Sequence, residues 1–387
     1  MSRRHRGPDT VFAATVVLLA LGGVIVSGSA RTFRDAASHP LPLGLATSLV
    51  HLALGVALLL AVMVPDYRLL SRPRVAWSLF GGTVTLLLVP FCLPPVANTW
   101  RWIRIGGLSI QPSELAKPVL VAILAASLAR AGDRIRTWNG LVRPLVLGGV
   151  LAGLVLLGRD LGTPVLYGLV TLGMVTVAGA RPRHLAVLAL AGAVLFAGAA
   201  SLESYRLQRL TAFLHCMDGP EELSPAMRDT CYQLRQSLVA LGSGGIAGKG
   251  LGRSTQKAFF LPEAENDFVF AVLGEELGFV GGVAAIILFL VLAWRGTVIA
   301  ERAPDPLGRY LALGAAWFPA IQALVHAGVT TGLLPTKGLP LPFFSAGGSS
   351  MLASFVLAGI VLNVSLRSWD STNPGRVVPG FLAGGAA

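Results

Sequence analysis

Acidic and basic side chains crowd into a few short stretches of an otherwise apolar chain. The most telling is 256–279, QKAFFLPEAENDFVFAVLGEELGF. Glu263, Glu265 and Asp267 stand where a polar run gives way to a long apolar helix pattern. Carboxylates at the edge of lipid are costly unless they are paired or used. Asp267 is the candidate for chemistry, as a general base on a hydroxyl at the membrane surface. An Asp just before an apolar run is also a good helix N-cap, so residue types alone leave cap and base equally open. Glu263, Glu265 and Lys257 lie close by in sequence, and a cap does not explain them.

Five further groups accompany this one. Arg101, Arg104, Glu114 and Lys117 fall in and just after 96–114, VANTWRWIRIGGLSIQPSE. Glu114 and Lys117 share one helix face at i, i+3, as an ion pair anchoring a helix end or as part of a substrate clamp. Arg and Lys suit diphosphate recognition, Arg through its bidentate fork. The stretch 328–350, GVTTGLLPTKGLPLPFFSAGGSS, carries Lys337 between prolines that break any helix. It reads as a rigid external loop or a re-entrant segment. Asp160, in the turn GRDLGT, fits a capping role better than chemistry. Glu275 and Glu276 lie just below Asp267 and should face the interior, paired with a cation. The glycines of SGGIAGKGLG, 243–252, suit either a phosphate nest or a hinge, and the hinge is commoner for glycine loops.

These groups need a scaffold, and composition supplies one. Of 387 residues, 54% are hydrophobic and 13% charged; soluble domains are about 25% charged. Apolar runs of about 20 residues read as membrane-spanning helices. Ten such runs are marked, at 11–29, 43–64, 75–95, 115–131, 144–158, 162–180, 184–202, 267–294, 309–330 and 343–366. The run at 144–158 is short for a bilayer. The runs are continuous rather than alternating, which excludes a barrel. The fold class is therefore an all-α polytopic membrane protein of about ten helices, with a large external loop, 203–266, between helices 7 and 8. The membrane domain spans 11–366, between tails at 1–10 and 367–387. The first span is read as retained rather than as a cleaved signal.

Arg3, Arg4 and Arg6 set both tails in the cytoplasm, and Arg-rich turns at 68–74, 130–136, 181–183 and 295–309 agree. The net charge of +12 is accounted for by topology and anionic lipid, without nucleic acid. The only lysines are Lys117, Lys249, Lys257 and Lys337, all on the external side of this topology. That distribution fits a cationic external cavity for an anionic substrate, or chance in a small sample. In the large loop, 232–242 has apolar residues at helical spacing and reads as an amphipathic surface helix. The stretch 217–230 reads as a polar excursion. Cys216 and Cys231 share the loop, where an oxidising exterior permits a disulfide. Cys92, in an apolar run, reads as buried and inert. No metal-ligand spacing of Cys or His appears.

Several long motifs resemble the SEDS family, which includes FtsW, RodA and SpoVE. They are QSLVALGSGGIAGKGLGRSTQKAFFLPEAENDFVFAVLGEELGF, TGLLPTKGLPLPFFSAGGSS, RWIRIGGLSIQPSELAK and RDLGT. GEELGF and TGLLPTKGLPLPF look closest to the FtsW branch. The resemblance implies a ten-helix inverting glycosyltransferase that polymerises lipid II into peptidoglycan, alongside a class B penicillin-binding protein and other divisome or elongasome membrane proteins. Asp267 falls on the family's essential Asp. Arg101, Arg104, Glu114, Lys117, Gln236, Lys257, Glu263, Lys337 and Ser345 form the expected substrate-binding set. No cofactor is assigned, and a divalent cation, magnesium or manganese, is left open. The chain departs from the family where EAHTD reads EAEND, where SYGGSS reads SAGGSS, and where His326 replaces an Asn.

The chemistry implied is simple. Asp267 takes the proton of the acceptor's 4-hydroxyl, and that oxygen displaces the diphosphate from the donor's anomeric carbon. The leaving group needs charge stabilisation more than an acid, so one base and a cationic clamp suffice. The rivals are a carrier that flips the same lipid and a non-catalytic scaffold. A carrier should line both halves of its path with polar groups, whereas here they crowd one side.

Overall fold

The computed structural model describes residues 7–36, 43–96, 99–105, 108–201, 213, 216, 225–335 and 338–368. Continuous apolar sequence, punctuated by Pro at helix starts, dictates the elements. The first seven helices are α1 (Thr10–Ala36), α2 (Leu43–Met63), α3 (Pro73–Leu88), α4 (Pro112–Ala131), α5 (Trp138–Leu157), α6 (Gly162–Val177) and α7 (Pro182–Ser201). Then come α8 (Pro225–Gly244), the single turn α9 (Gln256–Phe259), α10 (Val269–Glu301), α11 (Pro306–Thr330) and α12 (Gly348–Leu366). Pro73, Pro112 and Pro306 open their helices, where the missing N–H costs nothing. The carboxylate of Asp305 then caps α11 by accepting from the Gly308 amide at 2.8 Å.

Among the described residues, nine helices are long and apolar enough to cross a membrane, and α6 is a shorter apolar helix. Together they account for the ten expected spans and make this an all-α, multi-pass membrane protein. Several limits differ from expectation. The short span is α6, at 16 residues, since α3, of equal length, is continued by a turn to Cys92; α5 reaches back to Trp138 and has 20. The run expected from 267 begins as helix only at Val269 and continues to Glu301. The run expected from 343 begins only at Gly348, because Phe343 adopts a positive φ of 65° that no helix accommodates.

At the centre lies α4, buried on nearly every face between α3, α5, α6, α11 and α12. Along α10 packs α11, and along α12 packs α2. At one end of the bundle, Arg295 donates to Asp9 at 2.7 Å, and Tyr67 and Arg68 both donate to Asp305. Burial is the largest single influence and works to raise the Asp9 carboxyl, but the Arg295 hydrogen bonds, the Phe12 amide and the charges of Arg295 and Arg302 together hold it below the usual range. At the other end sit α8, α9, a hairpin and the buried stretch 338–347. The hairpin pairs β1 (Ile103–Ile105) antiparallel with β2 (Leu108–Ile110), setting Arg104 opposite Ser109.

The expected surface helix at 232–242 is longer and serves a different purpose. As α8 it starts at Pro225, taking in the last residues of the stretch read as a polar excursion; 217–224 lies outside the described residues. Its apolar face covers α10 and α11 rather than lipid, and Ser237 donates to the Thr330 carbonyl at 2.8 Å. Cys216 and Cys231 are joined, with their Cα atoms 5.1 Å apart. Cys92 is exposed at the end of the turn that follows α3, not buried as expected, because that part of the chain faces outward from the bundle.

The glycine-rich loop after α8 is a close-packing element. It packs backbone to backbone against a kink in α10 at Gly278, where φ is 69° and ψ is −168°. The Lys249 and Gly250 amides donate to the carbonyls of Glu275 and Glu276 at 2.9 and 3.0 Å. A Cβ on Gly248 would fall 2.2 Å from the Glu276 carbonyl oxygen, and one on Gly278 would fall 2.4 Å from the Gly248 nitrogen. Gly278→Ala is therefore expected to destabilise the protein by about 1–3 kcal/mol or more from backbone strain alone. Gly81→Ala, with open space around it, should be close to neutral. Thermal unfolding in detergent compares the two; equal melting temperatures would count against this account of the kink.

Candidate active site

Asp267 lies half-buried in a turn that delivers the chain into α10, its amide donating to the Glu263 carbonyl at 3.0 Å. The N-cap position of α10 belongs to Phe268, which has no side-chain oxygen to offer. The turn is stapled from below by the buried stretch 338–347. Ser345 Oγ donates to the Asn266 carbonyl at 2.9 Å and accepts from the Leu341 amide at 2.6 Å. The Ala346 amide donates to the Glu265 carbonyl at 3.0 Å. Gly338 closes on the carboxylate itself, since a Cβ there would stand 2.7 Å from Asp267 Oδ2. Only a residue without a side chain lets the backbone come so near.

The stretch 338–347 is itself anchored on three sides. Leu339, Leu341, Phe343 and Phe344 are buried. The Phe343 carbonyl presses on α1 at Gly23, where a Cβ would meet it at 2.0 Å. Leu339 covers Gly162 at the start of α6. Asp160 holds that start in place by accepting from the Gly162 and Thr163 amides at 2.9 and 3.2 Å, the capping role its sequence suggests. The segment thus re-enters the helix bundle instead of lying free at its surface.

Beneath it lies a buried polar chain. Lys117 and Glu114, each 1% exposed, pair at 2.5 Å. Lys117 also donates to Gln322 Oε1 at 2.8 Å, and Gln322 Nε2 donates to the Pro340 carbonyl at 2.5 Å. A second link runs through His326. The Phe270 amide donates to its Nε2 at 3.4 Å, so Nδ1 carries the proton and donates to the Leu339 carbonyl at 2.6 Å. Helix α11 thus grips both the re-entrant segment and the first turn after Asp267.

The other expected site residues divide into two sets. Arg104 is exposed on the hairpin and Glu263 is exposed in the turn, with Asn266 Nδ2 donating to Glu263 at 3.0 Å. Gln236 is half-buried on α8. Arg101 is half-buried, and its Nε has no hydrogen-bond partner. Lys257 is drawn instead into a buried group, donating to Glu276 and to Ser29 Oγ. Lys249 likewise pairs with Glu275 at 2.6 Å. Lys337 lies outside the described residues. Sequence reasoning gave no part to Gln322, Ser29 or the His326 bridge. The signal for Gln322 was present as a polar side chain inside an apolar span, one helical turn from His326.

A model of the family described as "Cell cycle protein", FtsW/RodA/SpoVE, matches residues 9–369. The chain belongs to that family. A relative named "Probable peptidoglycan glycosyltransferase FtsW", from Geobacter metallireducens, is 40% identical over 324 residues, covering 82% of this chain and 84% of its own. Stage V sporulation protein E of Bacillus subtilis is 36% identical, covering 95% of this chain and all of its own. Among solved structures, a chain from a peptidoglycan synthase complex that coordinates polymerization and crosslinking matches with TM-score 0.72 at 30% identity, covering 92% and 97% of the two chains. Rod shape determining protein RodA of Thermus thermophilus matches with TM-score 0.67 at 28% identity, covering 94% and 98%.

The departures from the FtsW/RodA/SpoVE pattern are absorbed locally. Ala346 contributes its backbone amide to the staple, so loss of a Tyr side chain leaves that bond in place. Asn266 retains a side-chain bond to Glu263. His326 must be neutral to accept the Phe270 amide, a task Asn also performs with its carbonyl oxygen.

No group of three or more His, Cys, Asp or Glu side chains is arranged to hold a metal ion among the described residues.

Breaking a buried ion pair costs more than replacing it whole. Glu114→Gln and Lys117→Met should each lower stability by about 3–5 kcal/mol, and the double variant should recover much of that loss. A double-mutant cycle by chemical unfolding in detergent tests this; additive losses would show that the pair is uncoupled. His326→Leu should cost about 1–3 kcal/mol for each orphaned partner, while His326→Asn should restore most of it. The same melt, run on both variants, reports the result.

Proposed function

We propose that this chain is a peptidoglycan glycosyltransferase of the FtsW type, which polymerises lipid II at the outer face of the cytoplasmic membrane during cell division. The observation that supports it most is the placement of Asp267. It is a half-buried carboxylate at the mouth of the bundle, in a turn held by two hydrogen bonds from a buried re-entrant segment. A base must be held rigidly to work, and loops alone do that poorly. Both tails lie in the cytoplasm on this reading, so that the arginine-rich end faces inward.

Asp267 accepts the proton of the acceptor 4-hydroxyl as its oxygen attacks the donor's anomeric carbon. The carbon–oxygen bond to the diphosphate breaks, with inversion. Arg104 on the hairpin and Arg101 just before it, with Lys337, bind the diphosphate. Lys117 and Lys257, whose charges are balanced by Glu114 and Glu276, act at one remove by holding the framework in shape. A magnesium or manganese ion, where used, arrives with the diphosphate, as is usual for a cation that retains its waters; no step here depends on it. The partner is a class B penicillin-binding protein that crosslinks the strands. The layer beneath Lys117 is packed with Leu120, Val121, Leu124 and Met174, which weighs against the polar path a carrier needs.

The test supplies lipid II to the purified protein with its transpeptidase partner and resolves glycan polymer on a gel. Wild type should polymerise and Asp267→Asn should not, with both equally well folded. Activity should fall as pH drops toward about 4, the ordinary carboxylate range. Equal polymer from both proteins, or a rate unchanged down to that pH, would remove Asp267 as the base.

A further inference from the structure

At the end of the bundle opposite Asp267, α3, α4 and α5 border a narrow cleft, with about 10 Å³ of space for water, that opens to the surface. Phe80 and Leu147 give it an apolar lining, and Trp77, Ser127, Arg130 and Arg143 line it too. Arginines at this end are ordinary topology. Two of them in one cleft, with no carboxylate within 4.0 Å of either among the described residues, are not. Arg130 spends one donor on the Ser71 carbonyl at 2.9 Å. Arg143 lies over the Trp77 ring at 5.9 Å. Most of their donors remain open.

The second observation is independent. Ser127 Oγ is buried, in a side chain 2% exposed, and has no hydrogen-bond partner. A hydroxyl in a helix usually bonds back to a carbonyl of its own helix or finds another partner, and leaving it bare is costly. Two guanidinium forks and an unsatisfied hydroxyl lining one cleft match the oxygens of a phosphodiester, which accept from such donors. Trp77, 51% exposed, is the kind of side chain that sits at headgroup level. The apolar lining suits acyl chains rather than a free ion.

We propose that this cleft binds the phosphodiester headgroup of an anionic phospholipid, in the leaflet opposite the Asp267 end. Basic pockets between membrane helices take such headgroups by the same chemistry.

The test is native mass spectrometry of the full-length protein in detergent, titrated with dioleoyl phosphatidylglycerol or dioleoyl phosphatidylethanolamine, with sodium phosphate as a separate arm. Wild type should retain phosphatidylglycerol in preference to phosphatidylethanolamine. Arg130→Gln/Arg143→Gln should bind it about thirtyfold more weakly, and Ser127→Ala roughly fivefold. Arg74→Gln/Arg136→Gln, which removes the same charge elsewhere on this end, should stay near wild type. Equal loss in the two double variants would reduce the effect to surface charge and overturn the site. So would equal retention of the two lipids. Thermal stabilisation by sodium phosphate that matches phosphatidylglycerol would overturn the lipid in favour of a free anion. Should the cleft double variant aggregate, undiminished binding by Ser127→Ala would overturn the proposal by itself.

Discussion

An ammonium group buried among membrane helices must be neutralised, and the way Lys117 is neutralised shapes everything above it. Glu114 takes the charge, Gln322 takes a second donor, and Gln322 in turn holds the Pro340 carbonyl. This ties α4, a largely enclosed helix, to α11 and through it to the re-entrant segment. The segment then holds the turn of Asp267 through Ser345 and Ala346. Asp267 is therefore located by a series of contacts that begins deep in the bundle. A side chain on a surface turn acquires the rigidity of the core because each link is short, buried and polar in a medium where polar groups cannot be left open.

Two adjacent carboxylates do similar work on the flank. Glu275 gathers Lys249, Ser254 and Thr255, while Glu276 gathers Lys257 and Ser29. Together they fold the glycine-rich loop and α9 down onto α10 and α1. The glycines at 244, 248 and 278 permit that closeness, because any Cβ would collide with the facing backbone. Cations that look free along the chain are thereby converted into struts. Among the described residues, charges still open at this end include Arg104, exposed on the hairpin, and Arg101 just before it, with an unpartnered Nε.

The two ends of the bundle are built differently. The Asp267 end has a hairpin, a disulfide-linked helix and a re-entrant segment, all packed to present a few polar groups. The opposite end has short turns, single ion pairs such as Asp9 with Arg295, and many arginines. This asymmetry is what an enzyme working at one membrane face requires, and family membership with FtsW/RodA/SpoVE is consistent with it.

The sequence by itself determined the helices and their class, because twenty apolar residues in lipid have only one way to satisfy their backbone. It marked Asp267, the Glu114–Lys117 pair at i, i+3 and the Asp160 cap, since each is a local pattern. Only the tertiary structure decided which cations stay available. Lys257 is 19 residues from Glu276 and 228 from Ser29, and no local spacing signals such partners. Nor does local spacing reveal that α8 covers protein rather than lipid, since an amphipathic face looks the same against either. The hold of His326 on Phe270 and Leu339 was illegible for the same reason. A bridge between separate elements exists only once packing has brought their backbone groups into reach.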